Sequence, residues 1–201
     1  MKLGIFGGSF NPIHNGHLAM AQAAKEQHGL DRVLFVPAGQ PPHKRADLAP
    51  KEDRLEMVRL AIAGREGFEA SSIEVDRPGV SYTVDTLEAL RRALHSAELY
   101  FIVGEDSIPE LPGWRDAPRI LRLARIVAVN RPGCKARFHP EDFPGVPEEV
   151  LQRLEADRVT MPPSPQESRR IREAARRCEL ITGQVPAAVE KYIVKRGLYR
   201  E

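Results

Sequence analysis

Two histidines beside a pair of glycines, near the start of the chain, have the clearest capacity for chemistry. Gly7 and Gly8 precede His14 and His17 in the segment 7–17. Glycines leave room for an anion to approach the backbone, so that N–H groups can bind it. Two histidines three residues apart at a helix start can face one point, where the helix dipole adds roughly half a positive charge. The segment 7–17 is therefore predicted to bind phosphate.

The sequence around this segment predicts the elements that such a site needs. A short apolar run, 3–6, precedes it and an alanine-rich stretch, 18–24, follows it. This order predicts a strand, a glycine turn and a helix capped by Asn15 or Gly16. A zinc site would need further Cys or His ligands at close spacing, and the sequence supplies none near the two histidines. Phosphate binding is therefore favoured over zinc binding.

Apolar strand-like runs alternate with helical patterns along the whole chain. Predicted strands are 3–6, 33–36, 68–75, 99–103, 126–129 and 159–161, and predicted helices are 16–28, 51–64, 83–95, 147–156, 168–177 and 186–196. The proline-rich segments 37–50, 109–118 and 132–147 are predicted to be ordered loops at the edge of the sheet. This alternation predicts an α/β fold with a doubly wound parallel sheet. No linker is long enough to divide the chain, so residues 1–201 are expected to form a single domain.

Composition excludes several classes of function. The 201 residues carry 30 basic and 28 acidic side chains, a net charge of +2, which argues against bulk binding of nucleic acid or of a membrane surface. Cys134 and Cys178 are isolated and form no metal or redox motif, which suits a reducing compartment. No signal segment and no apolar run of about 20 residues is present. A cytoplasmic location is expected, and the sequence leaves homo-oligomer formation open.

The segment that begins at Gly8 has the pattern G-x-F-x-P-x-H-x-G-H. This spacing resembles the signature of the nucleotidyltransferase superfamily, which implies a Rossmann-like nucleotidyltransferase fold with a small helical part at the C-terminus. It also implies that His14 and His17 are catalytic. The resemblance places five further residues at bound ATP, namely Gly7, Gly8, Ser9, Phe10 and Gly16.

Later motifs narrow the resemblance to one family. They are Pro41-Pro42-His43-Lys44, Ser81-Tyr82-Thr83, Gly104-Glu105-Asp106-Ser107, Trp114, Asn130-Arg131-Pro132-Gly133 and Gly197-Leu198-Tyr199-Arg200. In this order they resemble bacterial nicotinate-nucleotide adenylyltransferases over nearly the whole chain. That family joins nicotinate mononucleotide to the adenylyl group of ATP, releases pyrophosphate and makes the precursor of NAD. The resemblance implies ATP and nicotinate mononucleotide as partners and Mg²⁺ as cofactor, with no protein side chain as a direct metal ligand.

The resemblance also assigns roles to single residues. Lys44 would be a catalytic cation and Gly104 would contact ATP, while Tyr82, Thr83, Asp106, Trp114 and Arg131 would bind nicotinate mononucleotide. A flat indole suits stacking on a pyridinium ring, and a helix start at Thr83 would favour the nicotinate carboxylate over a neutral amide. Each role has an ordinary alternative: a solvated lysine, a core tryptophan and a threonine that only caps its helix.

One segment departs from the family pattern Ile-Ser-Ser-Thr-x-Ile-Arg, whose hydroxyls and helix-start amides bind ATP phosphates. Here residues 166–172 are Gln-Glu-Ser-Arg-Arg-Ile-Arg. Ser168, Ile171 and Arg172 match the pattern, whereas Glu167 and Arg169 do not. Arg169 is predicted to replace the missing hydroxyl with a charged fork, and the alternative is a solvated basic helix face. Asn11 is a milder departure, because many members carry Asp there.

Two other functions remain open at this point. A sister enzyme such as phosphopantetheine adenylyltransferase shares the first motif, although Trp114 and Ser81-Tyr82-Thr83 favour a pyridine nucleotide. A nucleotide-binding regulator without turnover would explain the altered segment 166–172. The presence of both His14 and His17 argues against it, since binding alone does not require donors that act on a transition state.

Overall fold

A computed structural model describes residues 1–42, 47–130 and 140–200. Its five strands are β1 (Lys2–Gly8), β2 (Arg32–Pro37), β3 (Phe68–Ala70), β4 (Glu98–Gly104) and β5 (Arg125–Val129). Its α-helices are α1 (Asn15–His28), α2 (Lys51–Ile62), α3 (Thr83–Ala93), α4 (Ala117–Leu123), α5 (Glu148–Ala156), α6 (Ser168–Arg176) and α7 (Ala187–Arg196). The six predicted helices are confirmed to within two residues at each end. No helix in the described ranges is long and apolar enough to cross a bilayer.

The strands form one sheet in the order β3-β2-β1-β4-β5. β1 pairs with β4 in parallel, with Ile5 opposite Phe101, and β4 pairs with β5 in parallel, with Ile102 opposite Val127. The strand order reverses between β1 and β4, which is where a doubly wound sheet binds its ligands, beyond the carboxyl ends of the strands. The predicted doubly wound parallel sheet is confirmed, and the turn that is predicted to bind phosphate begins at the carboxyl end of β1.

The predicted strand 68–75 is wrong beyond Ala70. The hydroxyl of Ser72 donates to the carboxylate of Asp76 at 2.6 Å, and the Asp76 N–H donates back to the Ser72 carbonyl at 2.8 Å. Ser71 accepts a bond from the N–H of Ile73 through its own hydroxyl. These local bonds compete with strand pairing and turn the chain, so the apolar alternation of this segment misled the prediction.

The predicted strand 159–161 is also wrong, because only a single parallel bridge joins Val159 to Val129. The side chain of Gln27 satisfies the next residue instead: it donates to the Thr160 carbonyl at 2.7 Å and accepts from the Thr160 N–H at 3.2 Å. These Thr160 groups face away from β5. The next ladder donor, the Met161 N–H, donates to the Asn130 side chain at 2.8 Å, which ends the ladder after one residue.

The loop predicted at 109–118 is not irregular. A 3₁₀ helix covers Glu105–Gly113, and α4 begins at Ala117. Asp116 caps α4, because its carboxylate accepts a hydrogen bond from the Arg119 N–H at 3.2 Å. An Asp followed by a proline inside the first turn is a helix-start signal, which the proline content of the segment obscured.

Contacts divide the chain into two compact units. The first unit contains Met1–Gly7, Met20–Leu34 and Tyr82–Pro163. Its centre is β4, whose residues from Leu99 to Val103 are all buried, as expected for a central parallel strand covered on both faces. Gly4 allows close packing on β1, because a Cβ there would lie 2.9 Å from the Leu30 side chain.

The second unit contains Gly8–Ala19, Phe35–Ser81 and Ser164–Glu201. Within it, the buried carboxylate of Asp53 joins α2 to α7, since it accepts from the Tyr192 hydroxyl at 2.7 Å and from Arg196 Nε at 3.0 Å. Burial, followed by the hydrogen bond to Asp53, raises the pKa of Tyr192 to about 12. The tyrosine therefore keeps its proton and remains a donor at neutral pH.

Gly39, in the second unit just after β2, sits where no side chain fits. A Cβ there would lie 2.1 Å from the carbonyl oxygen of Glu74. The Gly39 N–H donates to the buried hydroxyl of Ser81 at 3.0 Å, so the backbone cannot easily move away. The close approach of two backbone segments thus requires glycine at this position.

We expect Gly39→Ala to lower the free energy of unfolding by about 1–3 kcal/mol, the usual cost of forcing a group into packed space. Gly113→Ala is the matched control, because nothing lies within 4 Å of the Cβ that it would add. Urea unfolding of both variants measures the difference. Equal midpoints for the two variants would contradict the close packing at Gly39.

Candidate active site

The turn that follows β1 is held by the side chain of Phe10. Its backbone has a φ of 44°, in the left-handed region that non-glycine residues rarely adopt. The ring is buried, packs edge to face on His17 with 5.2 Å between centroids, and contacts Phe35 at 5.9 Å. A Cβ on Gly8 would touch the same ring at 3.4 Å. Burial of the Phe10 ring therefore offsets the cost of its backbone conformation and fixes the turn.

His14 and His17 hold each other at the start of α1 through their backbones. The N–H of His14 donates to Nδ1 of His17 at 3.3 Å. The N–H of His17 is shared between the His14 carbonyl at 3.0 Å and Nδ1 of His14 at 3.3 Å. His14 immediately precedes the helix and His17 is its third residue, so the pair reproduces the reciprocal bonding of a capping box with two imidazoles. The rings stack with 3.6 Å between centroids.

This bonding determines where the histidine protons lie. A nitrogen that accepts a hydrogen bond carries no proton, so each neutral ring bears its proton on Nε2. Both imidazoles are consequently Nε2–H donors at the N-terminus of a helix, which is the arrangement that binds phosphate oxygens.

Asn15 and Gly16 act differently from the predicted cap. The Asn15 side chain donates to the Gly183 carbonyl at 2.8 Å, and its N–H donates to the Gln184 carbonyl at 2.9 Å. Gly16 makes room for its neighbours, since a Cβ there would lie 2.7 Å from Ser164 Oγ and 3.0 Å from Nδ1 of His14. The prediction of a cap at residue 15 or 16 is wrong, because the histidine side chains perform this role.

Asn11 fixes the middle of the turn with all of its side-chain polar atoms. Its Nδ2 donates to the Asp47 carbonyl at 2.9 Å, and its Oδ1 accepts from the Ala49 N–H at 3.0 Å and from the Tyr199 hydroxyl at 2.9 Å. Burial raises the pKa of Tyr199, so the tyrosine remains a donor. An aspartate at position 11 could not donate to Asp47, which gives this departure from the family pattern a structural reason.

Arg172, predicted to contact ATP, is buried and turned toward protein groups. Its NH1 donates to the Asn11 carbonyl at 2.8 Å, while Nε and NH2 lie 2.7 Å and 2.5 Å from the Asp47 carboxylate. These bonds join α6 to the turn after β1 and to the chain before α2. The guanidinium is thus built into the wall of the site.

The other residues of the segment 166–172 have different surroundings at the start of α6. The Ser168 hydroxyl donates to the Pro12 carbonyl at 3.0 Å, and Ile171 is fully buried. Arg169 is exposed and pairs with Glu173 at 2.9 Å, which raises the pKa of the arginine. Glu167 pairs with Arg170 at 3.3 Å on the exposed side of the helix. The two departing residues therefore belong to a solvated row of ion pairs.

Trp114 lies in the first unit directly after the 3₁₀ helix. Its ring is partly exposed and contacts the buried ring of Phe101 edge to face, with 6.1 Å between centroids. A Cβ on Gly7 would lie 3.2 Å from the same phenylalanine ring. One edge of the indole is therefore supported by the strand that borders the switch point, so Trp114 is not a fully buried core residue.

The start of α3 lies in the same unit. Tyr82 is the residue before the helix and provides no side-chain cap, and Thr83 is the first helical residue. The interpretation of Thr83 as a plain N-cap is therefore wrong. The guanidinium of Arg115 stacks over the Tyr82 ring at 4.6 Å and lies 3.4 Å from the Asp85 carboxylate. This cation, adjacent to Trp114 in sequence, was missed by the sequence analysis.

The 3₁₀ helix after β4 carries the remaining described candidates of this unit. Gly104 precedes the helix, and Asp106 is exposed in its first turn. Glu105 between them is buried and forms an ion pair with Arg158. The Glu105 carboxylate is therefore structural, whereas the Asp106 carboxylate lies at the surface.

Two predicted site residues, Lys44 and Arg131, lie outside the described residues. Within the described part of the chain, no three His, Cys, Asp or Glu side chains are grouped closely enough to hold a metal ion. The groups around the turn are mainly N–H donors and cations, which suit an anion, whereas Mg²⁺ prefers oxygen ligands.

The fold and the turn with two Nε2–H donors define a nucleotidyltransferase, in agreement with the comparisons. Residues 5–174 match the family model described as cytidylyltransferase-like. A protein of Thermus thermophilus is 44% identical over 200 residues, covering 100% of both chains, and one of Thermomicrobium roseum is 43% identical, covering 99% of this chain and 92% of the relative. Both bear the name "Probable nicotinate-nucleotide adenylyltransferase". The chain belongs to the nicotinate-nucleotide adenylyltransferase family, as its motifs predicted.

Solved structures confirm the fold. The nicotinic acid mononucleotide adenylyltransferase of Plasmodium falciparum, in complex with NaAD, aligns with a TM-score of 0.78 at 17% identity, covering 98% of this chain and 97% of its own. The same enzyme in complex with APC aligns with a TM-score of 0.74 at 17% identity, covering 98% of this chain and 96% of its own. The Rossmann-like nucleotidyltransferase fold is therefore shared despite low identity.

The two arginines of α6 should respond differently to removal. Arg172→Ala should lower the free energy of unfolding by about 2 kcal/mol, because it deletes charge-assisted hydrogen bonds and leaves the Asn11 carbonyl without its donor. Arg169→Ala, the matched control on the exposed face, should unfold like the wild type. Thermal and urea unfolding measure both. A wild-type midpoint for Arg172→Ala would show that its bonds to the turn are not formed.

Proposed function

We propose that this chain transfers the adenylyl group of ATP to nicotinate mononucleotide, giving nicotinate adenine dinucleotide and pyrophosphate. A phosphate oxygen of the mononucleotide attacks the α-phosphorus of ATP. The bond from that phosphorus to the oxygen bridging to the β-phosphorus breaks, and pyrophosphate leaves. No protein nucleophile is needed, so catalysis consists of positioning and of stabilising charge. The observation that carries the proposal is the reciprocal bonding of His14 and His17 in a chain of this family.

The phosphate end of the site is proposed to use the turn after β1. Nε2–H groups of His14 and His17 would donate to oxygens of the departing pyrophosphate, where negative charge develops. Backbone groups of the turn and the start of α6 would hold the remaining phosphates, with the residues Gly7, Gly8, Ser9, Phe10, Gly16, Gly104, Ser168, Ile171 and Arg172 as proposed contacts or supports. Arg169 would have to leave Glu173 to reach a phosphate, so its contribution remains a prediction.

The pyridine end is proposed to use the residues after β4 and at the start of α3. The partly exposed indole of Trp114 would stack on the cationic pyridinium ring. The α3 N-terminus at Tyr82 and Thr83 would bind the nicotinate carboxylate, since it has no side-chain cap from Tyr82 and its dipole favours an anion. Asp106, Arg131 and Lys44 remain proposed contacts to the ribose and phosphates.

Mg²⁺ is proposed to enter with ATP, bound to phosphate oxygens and not to side chains of the protein. The donor groups around the turn fit this arrangement, because they complement the phosphate and leave the ion to oxygen ligands of the nucleotide and water. The proposed substrate is accordingly the magnesium complex of ATP.

We expect the purified protein to release pyrophosphate from ATP, Mg²⁺ and nicotinate mononucleotide. Nicotinamide mononucleotide should be at least about tenfold worse in kcat/KM, because it lacks the carboxylate and a charged hydrogen bond contributes about 1.5–3 kcal/mol. Pyrophosphate release with each acceptor measures this preference, with phosphopantetheine as the rival acceptor.

Each alternative has its own outcome in that assay. Equal turnover of the amide would contradict the specificity, and turnover of phosphopantetheine alone would identify the sister activity. ATP binding without turnover of any acceptor would indicate a regulator.

Replacing His17 separates its catalytic role from its structural role. His17→Ala should reduce kcat by about 10²–10³-fold, the usual loss for one transition-state donor. His17→Asn retains an oxygen that can accept the His14 N–H, and should therefore regain stability without regaining turnover. His28→Ala, at the other end of α1, is the control. Steady-state kinetics and thermal unfolding measure the set, and wild-type turnover in His17→Ala would refute the donor role.

A further inference from the structure

Arg54 is a buried cation in the first turns of α2 that no motif identifies. Its side chain is among the largest that are fully buried, at 1% exposure. The three hydrogen bonds described for its guanidinium all go to backbone carbonyls: Nε to Ala49 at 2.9 Å, NH1 to Ser9 at 2.9 Å and NH2 to Gly39 at 3.0 Å. One side chain thus joins the turn after β1, the loop after β2 and the start of α2.

A buried guanidinium whose described hydrogen bonds all go to carbonyls is a costly arrangement. Desolvation lowers the pKa of Arg54 from its ordinary value, and Tyr199, Glu52 and Glu74 oppose this shift electrostatically. An arginine nevertheless stays charged at neutral pH. A buried apolar side chain would avoid the cost of burying a charge. The presence of a cation here must therefore be explained by the hydrogen bonds that it makes to the three segments.

The bond to Ser9 has a geometric consequence for the turn. In a trans peptide the carbonyl and the following N–H point in opposite directions. Because Arg54 holds the Ser9 carbonyl, it also sets the direction of the Phe10 N–H. The other side of that peptide is fixed by Phe10 itself, with its buried ring and its φ of 44°. A left-handed residue in such a turn is typical of backbone nests that bind anions.

We propose that Arg54 is a positioning residue for ATP: it orients the Ser9–Phe10 peptide in the phosphate-binding turn and places a permanent positive charge behind it. Arg54 contacts no substrate in this account and acts through the Ser9 carbonyl. This inference rests on the proposed adenylyl transfer. It predicts a defect confined to ATP, because the bonds of Arg54 all lie in the unit that contains the turn.

Asp53 offers a matched control in the same helix. It is buried at 4% exposure and carries a charge, but its bonds go to Tyr192 and Arg196 of α7. Asp53→Asn should therefore reduce stability without changing the turn. A comparison with Arg54 variants separates a general loss of stability from a loss of positioning.

The test uses Arg54→Lys, which keeps the charge without the three-way fork, and Arg54→Gln, which removes the charge. Kinetics are measured with ATP and nicotinate mononucleotide varied in turn, and unfolding is measured for each variant. We expect kcat/KM for ATP to fall by about 10-fold in Arg54→Lys and by about 10²-fold in Arg54→Gln, as for a small misplacement of a binding group. The KM for the mononucleotide should stay within about twofold of the wild type. Asp53→Asn should leave both constants near wild type at a temperature where it is folded.

Several results would overturn the inference. A folded Arg54→Lys or Arg54→Gln with wild-type kcat/KM for ATP would do so, as would equal losses for the two substrates. Failure of both variants to fold would assign Arg54 to stability alone. A wild-type protein without turnover would instead refute the proposed function, so the two failures are distinguishable.

Discussion

The site depends on one constraint: backbone carbonyls in the irregular segments around the turn after β1 have no partner within a helix or strand and are bonded by side chains. Arg54 bonds Ser9, Gly39 and Ala49, and Arg172 bonds Asn11. Helices and strands satisfy their own backbone groups, but an irregular turn cannot. The turn after β1 therefore has a fixed shape, because distant parts of the chain, in α2 and α6, supply donors to its carbonyls.

The two histidines show how the same residues serve structure and chemistry. Their Nδ1 atoms accept from the backbone N–H groups of His14 and His17 at the helix start. Because Nδ1 accepts a hydrogen bond, the proton of each neutral ring lies on Nε2. The proposed reaction requires a donor at this nitrogen. Helix capping and the proposed stabilisation of pyrophosphate thus use opposite nitrogens of one imidazole, so no separate residue is needed to orient it.

Local and long-range determinants explain which features the sequence predicted. The glycine turn, the histidine pair and most helices depend on short spacings, so they were found. The end of β3 at Ala70 and the single bridge at Val159 depend on single side chains, Ser71 and Asn130, that accept from the N–H groups of Ile73 and Met161. The roles of Asn11, Arg54 and Arg172 depend on partners more than 35 residues away or on burial. Neither periodicity nor a motif reports such partners.

The central claim is that the fold sets the phosphate donors before any ligand binds. Long-range ¹H–¹⁵N NMR of the ligand-free protein, at a pH where both rings are neutral, tests it directly because the nitrogen shifts distinguish the two tautomers. The account predicts that His14 and His17 both carry the proton on Nε2, and that a non-hydrolysable ATP analogue does not change the tautomer of either ring. A proton on Nδ1 of either histidine in the ligand-free protein would contradict it.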